Sequence, residues 1–291
     1  MNEKDWNLLV TLSEEKTITH TAQKLCLTQP AVTRRIQQLE QELNCPIIIR
    51  GNKGVELSSE GEYLVEYARS ARQKLDALKE YIDNRSGEVR GTLRITSANV
   101  YAKQCLPRLI KSFSAKYPAV DIHVITGNSQ SIQPYLMSGA AHIALLRGSF
   151  SGPEQILPLK ADPRYYVVSS FPLNLDDLPD LPQIQNVTDA PLEAELNLWW
   201  TSRYRKPPRV STLVDRSDIC IEMIRQGLGY SLLSGLYIQD QPDLYREKIV
   251  HSDGRELLRA TNAYCRSSSL EIKAVRAFWE YLKYYDGRTT A

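Results

Sequence analysis

The sequence predicts a multidomain chain. An α-rich winged helix-turn-helix head comes first, then a long linker helix, then an α/β domain of two subdomains. Three observations carry this. Two helical periodicities joined by a tight turn lie within residues 17–43, and a strand–turn–strand follows them at 47–57. From residue 92 onward strands alternate with helices, the pattern of an α/β sheet. The 291 residues, at roughly 150 per domain, allow two or more folded units. Composition agrees: 36 Lys+Arg against 34 Asp+Glu leaves a net +2, and 42% of residues are hydrophobic. A wholly disordered chain, a collagen-like repeat and a charge-driven histone-like protein are excluded.

Thr17 is placed to cap a helix on which Ile18, Ala22 and Leu25 recur. Thr28 caps the next, with Pro30 in the first turn, where a missing N–H costs little. Leu27 before that cap and Val32 after it are spaced as a hydrophobic staple. Val32, Ile36, Leu39 and Leu43 form one apolar stripe, facing a first helix that carries Trp6, Leu9 and Val10. Pro30, Arg34, Gln37 and Gln41 project from the opposite side, flanked by Thr33 and Gln38. Arg pairs with guanine, Gln with adenine, and Thr can touch a thymine methyl, so this face carries the groups that read a major groove. A solvated surface face is the competing reading.

Charge is local. Residues 1–90 hold 13 basic and 14 acidic side chains, whereas 17–54 hold five basic (Lys24, Arg34, Arg35, Arg50, Lys53) against two acidic. A basic footprint on one face is expected of a specific DNA reader. Ile47 to Arg50, the turn Gly51-Asn52-Lys53-Gly54 and Val55 to Leu57 read as a wing tipped by Lys53. Ser59 and Glu62 fit a capping box. Leu64, Ala68, Ala71, Leu75, Leu78 and Ile82 then repeat at alternating spacings of 4 and 3, a heptad seam for pairing with a second copy. A long helix packed on its own domain is the alternative. A hinge follows at 84–91, completed by Gly91.

The run Thr17-Ile18-Thr19-His20-Thr21-Ala22-Gln23-Lys24-Leu25, then Leu27 to Ile36, Leu39-Glu40 and the wing from Arg50 to Gly54, resembles the LysR-type transcriptional regulators. The match is specific over residues 1–60 and weaker beyond. Where that family usually pairs two alanines, this chain has Thr21-Ala22-Gln23; Ala22 keeps the small residue that close helix packing needs. The resemblance implies base contacts from Gln29, Pro30, Thr33 and Arg34, with Lys53 in the wing. With their neighbours, the expected DNA-contacting set is Thr28, Gln29, Pro30, Thr33, Arg34, Arg35, Gln38, Arg50 and Lys53. It further implies a homodimer, commonly a dimer of dimers, a promoter or operator in double-stranded DNA, and RNA polymerase as a partner.

In the second half, strands are expected at 92–96, 120–126, 143–146, 165–169, 209–213 and 261–265, with 171–192 a loop. Helices are expected at 129–138, 218–226 and 270–284. Subdomain I takes 92–161 and 266–291, and subdomain II takes 162–265. This resembles the periplasmic-binding-protein-like effector domain of the same regulators, in which a small molecule sits between the subdomains. Open α/β sheets bind ligands at the carboxyl ends of their strands. Ser97, Asn99 and Val100, Asn128 and Ser129, and Arg147 fall there, with Asp215 facing them from subdomain II. Ordinary turn and cap chemistry is the competing reading for each. Arg147 among neutral donors suits a small anion, unless it pairs with an acid of its own surface.

Other chemistries lack their residues. The five cysteines are odd in number and scattered, as expected of buried free thiols in a reducing cytoplasm. The four histidines form no metal motif, and no cofactor is expected. Gly227-Leu228-Gly229 lacks the third glycine of a dinucleotide site, and no GxSxG elbow occurs. No signal peptide or membrane span is expected. An effector-controlled transcriptional regulator is therefore the reading, and not an enzyme. A binding or catalytic α/β protein with a helical N-terminal extension is the alternative.

Overall fold

The computed structural model describes residues 1–51, 54–84 and 87–285. The chain divides into two units, 1–85 and 86–291.

The first unit comprises α1 (Glu3–Glu15), α2 (Ile18–Lys24), α3 (Gln29–Leu43), β1 (Ile48–Gly51), β2 (Gly54–Leu57) and α4 (Ser59–Asn84). Both expected caps form: the Thr17 hydroxyl accepts from the His20 N–H at 3.2 Å, and that of Thr28 from the Ala31 N–H at 3.4 Å. The α3 stripe splits between two clusters. Val32 and Ile36 pack with Leu8, Leu12 and Ala22; Leu39 packs with Leu9, Val10 and Ile47. Thr21, beside Ala22, is fully buried, and its hydroxyl donates to the Thr17 carbonyl at 2.7 Å. The β-branched side chain fits because its one polar atom finds a carbonyl in its own helix. β1 and β2 form an antiparallel wing with Arg50 opposite Val55. Lys53 lies outside the described residues.

Three local expectations need correction. Leu27 stays 50% exposed, outside the cluster that covers Val32, so the staple does not close. The cap of α4 is Ser58, one residue before Ser59: its hydroxyl accepts from the Gly61 N–H at 2.9 Å and donates to the Pro46 carbonyl at 2.6 Å. Ser59 instead donates to the Glu60 carboxylate. The first turn of α4 thus lies directly on the chain leading into the wing. A Cβ at Gly61 would stand 2.1 Å from the Ile47 carbonyl oxygen, which is why glycine sits there. The seam on α4 is also not uniform. Ala68, with its neighbour Val65, is buried against Leu9 and Val10 of α1, whereas Leu78 and Ile82 are 54% and 55% exposed.

The second unit begins with β3 (Gly91–Ala98), α5 (Asn99–Gln104), α6 (Leu106–Lys116), β4 (Val120–Gly127), α7 (Ser129–Ser138), β5 (Ile143–Arg147) and β6 (Gln155–Leu159). It continues with β7 (Tyr165–Ser169), β8 (Pro182–Asn186), α8 (Ala190–Arg203), β9 (Arg209–Val214) and α9 (Ser217–Arg225). It closes with β10 (Ser231–Ser234), α10 (Gly235–Ile238), β11 (Tyr245–Lys248), β12 (Thr261–Cys265) and α11 (Lys273–Tyr284). The sheet of subdomain I runs β4-β3-β5-β12-β6, with β3 parallel to β4 and β5 and β12 antiparallel to its neighbours. Subdomain II holds β10-β7-β11 and the parallel pair β8-β9, joined by a bridge between Gln183 and Tyr230.

Two corrections follow. β12 pairs with β5 and β6, so residues 261–265 belong to subdomain I and the return crossover ends earlier than 265. The segment 171–192 is not one loop, because β8 lies within it and α8 begins at its end. Trp199 and Trp200, on α8, are core residues at 1% and 5% exposure, their indole N–H groups donating to the carbonyls of Val250 and Lys206.

Candidate functional site

On the first unit, α3 presents Gln29, Pro30, Arg34 and Gln37 to solvent, with Thr33 and Gln38 half-buried. Thr28 is exposed at the helix start, its hydroxyl engaged as the cap. Among the described residues Arg34 makes no hydrogen bond or ion pair, so its guanidinium is available. Arg35, one residue on and 100° round the helix, is not. Its Nε and Nη2 donate to the two carboxylate oxygens of Asp5 at 2.7 and 2.8 Å, and its Nη1 donates to Gln38 Oε1 and Glu42 Oε1, both at 3.2 Å. Asp5 is only 2% exposed. The hydrogen bond from Arg35 holds its carboxyl below the ordinary range, against the opposing effect of burial. Arg35 and the amide oxygen of Gln38 therefore belong to the brace between α1 and α3 rather than to the outward face.

On the second unit, the parallel register sets Ala98 opposite Gly127 and Ser97 opposite Leu145, so three strands end along one edge of the sheet. Here the structure brings Ser129 and Arg147 together: the Arg147 main-chain N–H donates to the Ser129 hydroxyl at 3.1 Å. Ser97 is fully buried on its strand. Asn99 and Asn128 are exposed, but the Asn128 side chain is spent as the cap of α7, accepting from the Ser131 N–H at 2.8 Å. Val100 is corrected to a core residue, 6% exposed among the apolar side chains of subdomain I. Asp215 is exposed at the end of β9.

Residues 4–62 match the model of the bacterial regulatory helix-turn-helix proteins of the lysR family, and residues 86–286 match that of the LysR substrate-binding domain. The chain belongs to the LysR family of transcriptional regulators. This LysR-type regulator is 36% identical over 285 residues to the HTH-type transcriptional regulator YraN of Bacillus subtilis, covering 97% of this chain and 98% of that one. It is 23% identical to the HTH-type transcriptional regulator IlvY of Escherichia coli, covering 97% and 99%. Its fold is shared with the full-length Vibrio cholerae virulence activator AphB, at a TM-score of 0.65, 18% identity and 98% and 100% coverage. It is also shared with full-length CbnR in complex with its target DNA, at 0.66, 18%, 97% and 99%. These relatives are DNA-binding regulators, and the catalytic alternative has no support among them.

In the effector half of this LysR-type regulator, Arg147 is 5% exposed, and among the described residues no carboxylate lies within 4 Å of it. Its Nη2 donates to the Arg259 carbonyl at 2.9 Å, its Nη1 to that of Asp162 at 3.5 Å, and its Nε is buried without an acceptor. The guanidinium also lies 5.8 Å from the Tyr165 ring centre. Burial pulls its pKa down, the expected direction for a cation without an anionic partner. Arg259 and Asp189 complete the cluster, and sequence reasoning did not find them. Arg259 pairs bidentately with Asp189, which also caps α8 by accepting from the Leu192 N–H at 3.1 Å. The Asp189-Ala190-Pro191 run carries a readable cap signal, but nothing local marks an ion pair across 70 residues. Gly148, at φ +92°, has the Arg259 guanidinium 3.2 Å from where a Cβ would stand.

All five cysteines are free, but the expected burial holds only for Cys220 and Cys265; Cys45 and Cys105 are half-buried and Cys26 is exposed. Desolvation pushes the Cys220 thiol up to about 11 and that of Cys265 to about 12. Both are inert at neutral pH. Among the described residues no His/Cys/Asp/Glu cluster could hold a metal, and no helix is long and apolar enough to cross a membrane.

Proposed function

We propose that this regulator reads a two-fold operator as a homodimer, through Gln29, Pro30, Thr33 and Arg34 of α3, with Thr28 at the helix start and Arg50 and Lys53 of the wing on the backbone. The observation that carries this is the division of labour between neighbours. Arg34 is exposed and unpartnered, whereas Arg35 is consumed by Asp5. A free guanidinium on a helix face that is otherwise amide and hydroxyl is the arrangement that bonds guanine in a major groove. The exposed apolar half of α4, from Leu78 to Ile82, supplies the surface for a second copy. A promoter-bound dimer of this kind works beside RNA polymerase, in the cytoplasm.

The effector is a small anion held where β3, β4 and β5 end. Arg147 supports this reading. A buried cation with one N–H lacking an acceptor and no carboxylate within ion-pair distance is incompletely compensated. Asn99 at the edge, with Asp215 from the other subdomain, borders the approach.

Selection of duplexes from a random pool by the purified full chain tests the first reading. It should recover a motif with two-fold symmetry, and the Arg34→Ala chain should lose preference at one base pair of each half. Recovery of no motif, or of one indifferent to Arg34→Ala, would overturn it. For the second, carboxylate metabolites are screened by thermal shift on the full chain. A stabilising carboxylate whose effect vanishes in Arg147→Gln is expected. Hits confined to neutral or cationic compounds would remove Arg147 from the site.

A further inference from the structure

A buried hydroxyl stands beside Arg147 on its own face of the sheet. β12 runs antiparallel to β5, and Thr261 is the residue directly opposite Arg147. Side chains alternate along each strand, so both lie on the face where Leu145 and Ala263 enter the core of subdomain I. Thr261 is 1% exposed, and its hydroxyl is buried without a hydrogen-bond partner. Directly paired residues of antiparallel strands hold their Cβ atoms about 5 Å apart. An unpartnered hydroxyl is therefore set alongside the side chain whose Nε–H lacks an acceptor.

The charges around this pair do not cancel. Arg147 and Arg259 bring two guanidiniums and the Asp189 carboxylate, bidentate on Arg259, brings one negative charge, which leaves +1. The Asp162 carboxylate lies beyond ion-pair distance of Arg147 and accepts instead from the Arg164 Nε at 2.9 Å. The Arg147 guanidinium is held by main-chain carbonyls of both segments that cross between the subdomains, at Asp162 and Arg259. A ligand there meets a fixed N–H, a hydroxyl on the neighbouring strand and one unbalanced positive charge. A water molecule would satisfy the donors and leave the charge; a dianion would bury a second negative charge without a partner. A carboxylate takes one donor on each oxygen and carries the charge that is missing. We infer that the ligand of Arg147 is a monoanion with a single carboxylate, and that Thr261 is a specificity-determining donor to it. This rests on the reading of Arg147 as the residue that holds the effector anion, and adds the charge that the anion must carry.

The experiment uses the full chain at neutral pH in a constant sodium chloride background. Sodium acetate is the monoanion, and sodium malonate at equal ionic strength is the dianion. Acetate at about 20 mM is expected to raise the melting temperature by about 2 °C or more, and malonate by less than half as much. Thr261→Val removes the unpartnered hydroxyl at nearly constant shape. The unliganded variant is expected to melt at the parent temperature or above, and to bind acetate about tenfold more weakly. Thr261→Ser, which keeps the hydroxyl, is expected to bind within about twofold of the parent. A crystal grown in acetate should show the carboxylate between Arg147 Nε and the Thr261 hydroxyl. Four results would overturn the inference: no acetate shift in the parent chain, an equal shift with malonate, a shift unchanged in Thr261→Val, or water or chloride alone beside the two side chains. A shift lost in Arg147→Gln but unchanged in Thr261→Val removes this inference and leaves the Arg147 reading. A shift that survives Arg147→Gln removes the reading underneath.

Discussion

Arg147 and Arg259 each donate from Nη2 to the other's main-chain carbonyl oxygen, at 2.9 and 3.0 Å. The exchange joins the end of β5 to the strand that returns from subdomain II. Two guanidiniums sit together there with one half-buried carboxylate, Asp189. Burial, the largest single influence, would raise the Asp189 pKa, but the hydrogen bond and charge of Arg259 together with the Leu192 N–H outweigh it and the shift is downward.

Asp189 can be dissected. Asp189→Asn keeps an oxygen to cap α8 but leaves Arg259 without its anion. A loss of about 3 kcal/mol is expected, the cost of breaking a largely buried pair. Asp189→Ala should lose about 1 kcal/mol more, the cap. Urea unfolding of the two variants measures the difference, and equal losses would mean that the cap contributes nothing.

The adjacent arginines of α3 should separate reading from folding. Arg34→Ala is expected to cost about 1–3 kcal/mol at the selected operator and to leave the melting temperature unchanged. Arg35→Ala should instead destabilise the first unit by about 3 kcal/mol, because it strands the buried Asp5 carboxylate. Fluorescence anisotropy on operator DNA, paired with thermal melting, distinguishes the two. An Arg35→Ala chain of full stability would contradict the brace.

The same pair sets an acid limit. The folded-state pKa of Asp5 is held below its ordinary value, chiefly by Arg35. A depressed carboxylate contributes stability that is present above the unfolded pKa of about 4 and is lost as pH falls through the folded value. Melting of the first unit is therefore expected to fall below about pH 4 and to do so less steeply in Asp5→Asn. Superimposable pH profiles for parent and variant would remove Asp5 from the account.

On α4, position decides the outcome of one kind of change. Leu78→Asp is expected to abolish the dimer and leave the head folded, since Leu78 is 54% exposed within its own unit. Ala68→Asp, at a fully buried position, should unfold the head itself. Sedimentation and circular dichroism of both chains check this; a Leu78→Asp chain at parental mass would move the interface elsewhere.

Where the sequence was legible, the signal was local. Thr17, Thr28 and the stripe from Val32 to Leu39 announce themselves through spacing and capping, as does Asn128 before α7. Arg35 could not be distinguished from Arg34, because its partner Asp5 stands 30 positions earlier and only tertiary packing joins them. β6 is an edge strand with Ile156 exposed and Pro158 within it, so it carries no clean alternation. β8 hides in a run of prolines and amides. α8 buries both tryptophans yet leaves Leu198 56% exposed, which blurs any amphipathic period. The cluster of Arg147, Arg259 and Asp189 draws on three distant segments, and Arg147 alone was visible as the end of an apolar strand.

The divided surface of α4 has a mechanical consequence. Its 26 residues make a rod about 39 Å long at 1.5 Å per residue. Its near end is clamped where Val65 and Ala68 meet α1, and its far end carries the bare apolar side chains. The arm beyond Ala68 is about 24 Å, so a tilt of one degree at the clamp displaces the far end by about 0.4 Å, close to the roughly 0.5 Å tolerance of a well-placed polar site. How tightly two small side chains, a valine and an alanine, seat against one helix thus fixes the aim of everything the rod carries.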